Sequence, residues 1–168
     1  MADPARNEIV PVPLSREAFA PFGDVLDVRG GPDRIINDGW CGRYHDRARV
    51  DFAGAAGISL FDARPRPLPL ALELVERHPL GSQAFLPMHE NPFLVIVAPD
   101  EAGRPGMPLA FITLPGQGVN YHRGTWHGVL TPLAAPGLFA VVDYVGDEPN
   151  LEEWRFDTAF TVCEPAAV

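Results

Sequence analysis

The stretch Leu70-Ala71-Leu72-Glu73-Leu74-Val75-Glu76-Arg77-His78 decides the fold, because it predicts a strand that carries polar groups into a core. Its leucines alternate with other residues at the period of two that is typical of a β-strand. Glu76 and His78 follow in the same phase, so both are expected on the buried face, where they need partners or a ligand. The same letters also suit a helix, but Pro69 and Pro79 bracket the stretch tightly and favour the strand.

The rest of the chain is also typical of a protein built from short strands. Its 168 residues include 19 prolines and 16 glycines, too many for long helices. Further strands are predicted at Phe93–Ala98, 109–114 and Leu138–Val145, and short helices after Ser15 and Asn150, which resemble N-caps. We expect one mainly β domain over residues 1–168, an antiparallel β-barrel or jelly roll with a few short helices.

Charge and composition exclude several classes of partner. The formal net charge is −9, so nucleic acid, whose phosphates favour the opposite sign, is not expected. No apolar run approaches the roughly 20 residues of a membrane span, and the first six residues lack the pattern of a secretion signal. Cys41 and Cys163 form no metal or redox motif and are expected to be reduced. These features predict a cytoplasmic protein without a membrane or nucleic-acid partner.

Four polar residues in two segments have the spacing of a metal site. Glu76, His78 and Gln83 form the pattern E-x-H-x4-Q, and Gly124-x-x-His127 follows later. This frame resembles that of the cupins, jelly-roll barrels whose metal site reads H-x-H-x4-E followed by G-x-x-H. Glu76, His78, Gln83 and His127 can therefore hold a divalent metal, although glutamine is a weak neutral ligand. Alternatively, a cupin without a metal uses the same side chains to hydrogen-bond its substrate, so no cofactor is firmly implied.

His122 is a further candidate for the same site. It lies five residues before His127, and on a straight strand the two would face opposite sides of the sheet. They share a site only if a turn at Arg123-Gly124 reverses the chain, which the glycine allows. Otherwise His122 is a histidine of the rim or of an interface.

Four other residues are candidates for binding a small anionic molecule. Arg77 and Arg123 carry guanidinium groups, which suit a carboxylate, although either can equally form an ion pair at the surface or at an interface. Asn37 and Tyr121 offer an amide and a phenol for hydrogen bonds, but Asn37 can equally be a turn former.

Several blocks of the sequence carry a resemblance to one known family. The blocks are Leu14-Ser15-Arg16-Glu17-Ala18-Phe19-Ala20-Pro21-Phe22-Gly23-Asp24-Val25, Ile36-Asn37-Asp38-Gly39, Glu76-Arg77-His78-Pro79-Leu80-Gly81-Ser82-Gln83-Ala84-Phe85-Leu86-Pro87 and Gln117-Gly118-Val119-Asn120-Tyr121-His122-Arg123-Gly124-Thr125-Trp126-His127. The chain resembles ureidoglycolate lyase over nearly its whole length. The resemblance implies a cupin-like barrel, usually a homodimer, that cleaves ureidoglycolate to glyoxylate and urea in allantoin (purine) catabolism. It also shows two departures, since the family commonly has histidine at Gly128 and arginine at Tyr144.

The implied reaction suggests acid and base roles for the histidines and the glutamate. Ureidoglycolate carries a hydroxyl, a carboxylate and a ureido nitrogen on one carbon. Its cleavage needs a base for the hydroxyl proton and an acid for the departing nitrogen. We expect His127 or His78 to be the base and His122 or Glu76 the proton donor. Glu76 suits the acid role only if burial raises its pKa.

The other groups of the substrate need partners as well. In this hypothesis Arg77 or Arg123 holds the carboxylate, while Gln83 and Asn37 orient the urea end. Because of the two departures, an alternative is a non-catalytic or altered-specificity cupin that binds a small 2-oxo or 2-hydroxy acid. A third interpretation is a metal-dependent cupin enzyme such as an isomerase or a dioxygenase.

Overall fold

The computed structural model describes residues 2–3 and 7–166. Met1, residues 4–6 and the last two residues lie outside the described residues, and so does most of the N-terminal stretch that was searched for a secretion signal. Within the described ranges, no helix combines the length and the apolar character needed to cross a membrane.

The described chain forms eighteen strands and one short helix, so the mainly β prediction is confirmed. The helix, α1 (Arg16–Phe19), lies between the third and fourth strands. The strands are β1 (Ala2–Asp3), β2 (Glu8–Ile9), β3 (Val12–Pro13), β4 (Gly23–Leu26), β5 (Arg34–Ile36), β6 (Cys41–Arg43), β7 (Ala55–Asp62), β8 (Leu70–Arg77), β9 (Gln83–Pro87), β10 (Phe93–Ala98), β11 (Asp100–Glu101), β12 (Arg104–Pro105), β13 (Leu109–Ile112), β14 (Gly118–Tyr121), β15 (Trp126–His127), β16 (Thr131–Pro132), β17 (Leu138–Val145) and β18 (Glu152–Val162).

Two main sheets organise these strands. The larger sheet has nine strands in the order β1-β2-β18-β8-β15-β10-β13-β3, with β16 also paired to β10. The smaller sheet has five strands in the order β4-β14-β9-β17-β7, while β5 with β6 and β11 with β12 form separate hairpins. Pairing within both sheets is mostly antiparallel, with parallel pairs at β3–β13 and β2–β18. This is the cupin-like β fold that the sequence predicted.

Strand β10 forms the centre of the core because both of its faces are buried. Phe93, Val95 and Val97 pack against side chains of the five-stranded sheet, so this first core cluster lies between the two sheets. The alternate residues of β10 pack on the other side of the larger sheet, in a second cluster with residues of β8 and β18. Burial of each large side chain stabilises the fold by about 1.5–3 kcal/mol. The first cluster defines the barrel interior.

Residues 70–77 form strand β8, so the strand interpretation is confirmed and the helical alternative is wrong. Its alternation is not uniform, because the first two leucines and Val75 all pack into the second cluster. The phase changes where the register of β18 against β8 breaks, between residues 155 and 160. Glu76 and His78 therefore lie on the face opposite Val75 and do not share a face with the first two leucines.

The predicted helix starts had different outcomes. The Ser15 hydroxyl caps α1 by accepting a hydrogen bond from the Ala18 N–H at 3.2 Å. The helix predicted after Asn150 is wrong, because Glu152–Val162 pairs with β8 as a strand and finds its backbone partners there. The side chain of Asn150 instead accepts a hydrogen bond from the Leu80 N–H at 2.7 Å.

A polar network ties α1 to the five-stranded sheet. Asp27, just after β4, accepts hydrogen bonds from the Arg16 guanidinium, from Gln117 Nε2 at 3.0 Å and from the Arg29 N–H at 3.3 Å. Gln117 in turn accepts a hydrogen bond from the Leu114 N–H at 2.8 Å. Burial alone would raise the pKa of Asp27, but these hydrogen bonds outweigh it and hold the pKa below its usual value.

Candidate active site

Glu76, His78 and His127 come together on the inner face of the larger sheet, and we call them the polar cluster. His127 on β15 lies directly opposite Glu76 on β8, and the rings of His78 and His127 are 5.2 Å apart. Nε2 of His78 lies 3.9 Å from Oε1 of Glu76. One possible ligand atom from each residue lies within 4.8 Å of the others. The fold thus assembles three of the four side chains predicted as metal ligands.

A tight turn brings β15 beside β8 and so builds the cluster. Gly124 has a φ of +77°, a conformation that suits glycine. Its N–H donates to the His78 carbonyl at 3.0 Å, and the Thr125 N–H donates to the His122 carbonyl at 3.0 Å. The turn therefore attaches the start of β15 to the end of β8 and sets His127 opposite Glu76.

Both histidines of the cluster are oriented by backbone carbonyls. Nδ1 of His78 lies 2.7 Å from the Asn150 carbonyl oxygen, and Nδ1 of His127 lies 3.0 Å from that of Gly128. A carbonyl only accepts, so each Nδ1 carries a proton, and the neutral form of each ring then has the lone pair on Nε2. Both Nε2 atoms are buried without a protein partner. Such atoms favour a bound ligand, since burial of a polar atom costs free energy unless a new partner replaces the water that it loses.

The five-stranded sheet supplies the opposite wall. The Tyr121 ring stacks on His127 with centroids 4.3 Å apart and an angle of 6°. Gln83 on β9 pairs with Tyr121 on β14, so the two side chains share a face of the sheet. Gln83 Nε2 donates to Asp143 Oδ2 at 3.2 Å, while Gln83 Oε1 is buried without a partner. Gln83 Oε1 is therefore a third buried acceptor without a partner, in addition to the Nε2 atoms of the two histidines.

The environment sets the protonation of the cluster. Burial, reinforced by the nearby His78, lowers the pKa of His127 to about 3, although the bond to the Gly128 carbonyl opposes the shift. Burial raises the pKa of Glu76; His78 opposes this shift and Glu153 on the neighbouring strand adds to it. Burial and the Glu76 charge raise the pKa of Tyr121. His127 is consequently a neutral acceptor, and Glu76 keeps its proton to higher pH than a solvated glutamate.

The two arginines predicted to hold a carboxylate have other partners. Arg77 forms ion pairs with Asp100 at 2.9 Å and Glu152 at 2.6 Å, and its guanidinium lies 4.4 Å from the centre of the Trp126 ring. Side chains alternate along a strand, so this face is opposite the one that carries Glu76. Arg123 Nε donates to the Pro79 carbonyl at 2.6 Å. Among the described contacts of these two arginines, none reaches the side chains of the polar cluster, and both substrate-binding roles stay predictions.

His122 and Asn37 also lie outside the polar cluster. Nε2 of His122 is 3.3 Å from Asp24 Oδ2, and 41% of its side chain is exposed. It lines a cleft of about 310 Å³ together with Arg123 and Trp126. Asn37 has a φ of 54° in the turn between β5 and β6, where its carbonyl accepts from the Trp40 N–H. The backbone of Asn37 therefore forms a turn, as one of the two alternatives for this residue expected. Its role in orienting the substrate stays a prediction.

The two departures from the family pattern do not place new side chains in the polar cluster. A Cβ at Gly128 would lie 3.1 Å from Ile96 Cβ, and the interaction of this residue with His127 uses its carbonyl. The Tyr144 ring packs against Gly54 and Gly146. Because Tyr144 follows Asp143 on β17, it lies on the face opposite the one that carries Asp143.

Asp143 and Asn150 are site residues that the sequence reasoning missed. Asp143 stands inside a strand that is otherwise mainly apolar, where a lone carboxylate facing the interior was a usable signal. Asn150 was interpreted as a helix cap, yet its carbonyl orients His78. No local pattern points to that contact, because it joins residues 72 positions apart.

The chain is similar to known proteins over most of its length. The family model described as ureidoglycolate lyase matches residues 6–163. A ureidoglycolate lyase of Rhodobacter capsulatus is 63% identical over 144 residues, covering 84% of this chain and 89% of the relative. One from Chelativorans sp. is 52% identical over 162 residues, covering 95% and 98%, and one from Mesorhizobium japonicum is 53% identical over 156 residues, covering 91% and 96%. The chain belongs to the ureidoglycolate lyase family.

Proposed function

We propose that this protein is a carbon–nitrogen lyase that cleaves ureidoglycolate to glyoxylate and urea. The observation that carries the proposal is the group of buried, unpartnered acceptors on His78, His127 and Gln83, beside a glutamate with a raised pKa. A small, highly polar molecule satisfies such a set better than an apolar one. Membership in the family supplies the identity of that molecule.

The reaction needs one proton to move from oxygen to nitrogen. A base takes the hydroxyl proton, the oxygen forms the aldehyde double bond, and the bond between carbon and the ureido nitrogen breaks. An acid protonates that nitrogen, so glyoxylate and urea leave without consumption of water. The chain therefore needs a base and an acid near one substrate carbon.

We assign the base to His78 and the acid to Glu76. His78 presents an unpartnered Nε2 and is oriented through Nδ1, the arrangement expected of a positioned base. Burial raises the pKa of Glu76, which suits a proton donor. His127 has a pKa of about 3 and so suits a neutral acceptor better than a proton carrier. His122 is the second candidate for the donor, but its Nε2 faces Asp24.

The polar cluster also fits a divalent metal ion. Glu76, His78 and His127 would hold it, with Gln83 as a possible fourth ligand. Two neutral imidazoles whose Nδ1–H groups donate to carbonyls are the form in which histidine binds metals. A bound divalent cation supplies positive charge for the substrate carboxylate and hydroxyl oxygens. The same residues then act as ligands first, and their proton roles are secondary.

A product assay tests both versions. Purified protein is incubated with racemic ureidoglycolate, with and without chelator, and glyoxylate, urea and ammonia are followed separately. Equal glyoxylate and urea support the lyase, and loss of activity in chelator that a divalent ion restores supports the metal. Ammonia without urea would point to an amidohydrolase. Binding of glyoxylate without any turnover would support the alternative, a protein that binds a small 2-oxo acid.

A homodimer is part of the same proposal. The outer face of the five-stranded sheet carries an apolar row, because Leu60 on β7, Ala140 on β17 and Leu86 on β9 lie directly side by side. Leu60 is 66% exposed, and Ile58 on the same face is 77% exposed. Exposed apolar surface of this kind is typical of an interface. Light scattering after size-exclusion chromatography measures the mass of the particle.

We further propose a cytoplasmic location. Cys41 and Cys163 are both free, which suits a reducing compartment. Fractionation of cells that express the protein tests this location, and recovery outside the cytoplasm would contradict it.

A further inference from the structure

Asp143 contacts Gln83 of the candidate site and takes no part in the proposed acid and base steps. It lies on β17, one position after the pair Val142–Ala84, and therefore opposite Gln83 on β9. Its Oδ2 accepts the hydrogen bond from Gln83 Nε2 at 3.2 Å. Gln83 itself is only 6% exposed. The contact is thus a part-buried pairing across the inner face of the five-stranded sheet.

This pairing fixes which end of the Gln83 amide faces the barrel interior. A carboxylate offers only acceptors, so the NH2 group of the amide must turn towards Asp143. Oε1 is then directed away from Asp143 and is buried without a partner. Without the carboxylate, the amide could rotate by half a turn and present donors in place of the acceptor.

The wall that contains Oε1 is continuous with the polar cluster. Gln83 is paired with Tyr121, and the Tyr121 ring stacks on His127. The carboxylate of the substrate would be repelled here, because Gln83 Oε1 is an acceptor and the Asp143 carboxylate lies next to Gln83. The ureido group, in contrast, brings N–H donors, which this wall accepts.

We propose that Asp143 is a positioning residue that makes Gln83 an obligatory acceptor, and so selects the ureido group of the substrate. The proposal rests on the lyase function proposed above. Asp143 acts through Gln83 and touches no reacting atom. It sets which end of the substrate lies against the five-stranded sheet, and thereby places the carbinol carbon next to Glu76 and His78.

A double-mutant cycle on the purified enzyme tests this link. Asp143→Ala should raise KM for ureidoglycolate about tenfold, since a buried hydrogen bond to the substrate loses its oriented acceptor. In a Gln83→Leu background the same change should alter KM by less than about twofold, because two residues that act as one unit are not additive. Equal effects in both backgrounds would overturn the proposal.

Further variants separate positioning from folding. Asp143→Asn keeps the size of the side chain but offers a donor as well as an acceptor, so it no longer holds the Gln83 amide in one orientation and KM should rise as in Asp143→Ala. Asp62→Ala removes an exposed carboxylate from β7 of the same sheet and is the matched control for charge. Inhibition by glyoxylate, which lacks the ureido group, should be unchanged in Asp143→Ala. A parallel loss of glyoxylate inhibition would show that Asp143 merely shapes the site and would overturn the proposal.

Failure of the proposed function gives a different result. A wild-type protein without turnover of ureidoglycolate would overturn the lyase function, and this inference with it. Turnover by the wild type together with an unchanged KM in Asp143→Ala would overturn only this inference. If Asp143→Ala does not fold, Asp143→Asn takes its place in the cycle: a rise in KM that disappears in the Gln83→Leu background supports the link, and no rise, or an equal rise in both backgrounds, contradicts it.

Discussion

Replacement of Glu76 by glutamine tests the centre of the proposed mechanism. The amide keeps the shape of the side chain but cannot donate the proton that the departing nitrogen needs. General acid catalysis contributes about 100-fold or more to a rate, so kcat should fall by at least about 100-fold. That loss corresponds to about 2.7 kcal/mol of transition-state stabilisation. If Glu76 is a metal ligand instead, excess divalent ion should restore part of the activity, because the weaker site is then filled by mass action.

The stability of Glu76→Gln should not fall together with its activity. Burial raises the pKa of Glu76, so its ionised form is less stable in the folded site than in water. Glutamine removes this cost at neutral pH, where the unfolded chain carries the ionised group. The unfolding midpoint of Glu76→Gln should therefore equal or exceed that of the wild type. Lower activity together with unchanged or higher stability separates a chemical role from a folding defect.

The assay compares Glu76→Gln with Glu73→Gln, which lies on the same strand. The Glu73 side chain is 68% exposed and pairs with Arg155 at 3.7 Å, a surface contact worth at most about 1 kcal/mol. Steady-state release of glyoxylate and urea should be normal in Glu73→Gln and lost in Glu76→Gln. Turnover by Glu76→Gln within a few-fold of the wild type would falsify the assignment of Glu76 as acid or ligand.

Three further predictions address positioning, pH and assembly. Asn150→Ala removes the acceptor of the Leu80 N–H and disturbs the carbonyl that orients His78. The free energy of unfolding should fall by about 1–3 kcal/mol, and kcat should fall as well. Wild-type values in both denaturant melts and turnover assays would contradict this prediction. The pKa of Asp27 lies below its usual value, so the stability that this group contributes is present above its unfolded pKa and is lost as pH falls through its folded pKa. Asp27→Asn should therefore be less stable than the wild type at neutral pH and should lose less stability on acidification. Parallel curves of unfolding free energy against pH for the two proteins would contradict this. If the proposed dimer forms through this face, Leu60→Asp should be monomeric in light scattering where the wild type is dimeric, and a dimer that persists in the variant would exclude this face.

The period of two in β8 predicts the faces of three neighbouring residues near the site. It correctly indicated a strand that carries Glu76 and His78 on one face. The same rule puts Arg77 on the opposite face, where the structure pairs it with Asp100 and Glu152. The role of Arg77 as an anchor for the substrate carboxylate stays a prediction.

Long-range register explains what the sequence did not reveal. The contact of His78 with the Asn150 carbonyl depends on where β18 begins, and that segment was expected to be a helix. The contact of Gln83 with Asp143 depends on how β9 aligns with β17. Local patterns report the face of a residue along its own strand, whereas these partners are fixed only when distant strands pair.

The electrostatic balance of the site poses the remaining chemical question. The substrate is an anion, the chain has a net charge of −9, and the wall around the polar cluster carries Glu76 and Asp143. Arg77 and Arg123 pair with other groups in this structure, so a divalent cation held by Glu76, His78 and His127 is the source of positive charge that the cluster itself can provide. If such a cation is bound, binding of glyoxylate should weaken in the presence of chelator and recover when the ion is added back. Equal binding of glyoxylate with and without chelator would exclude this source.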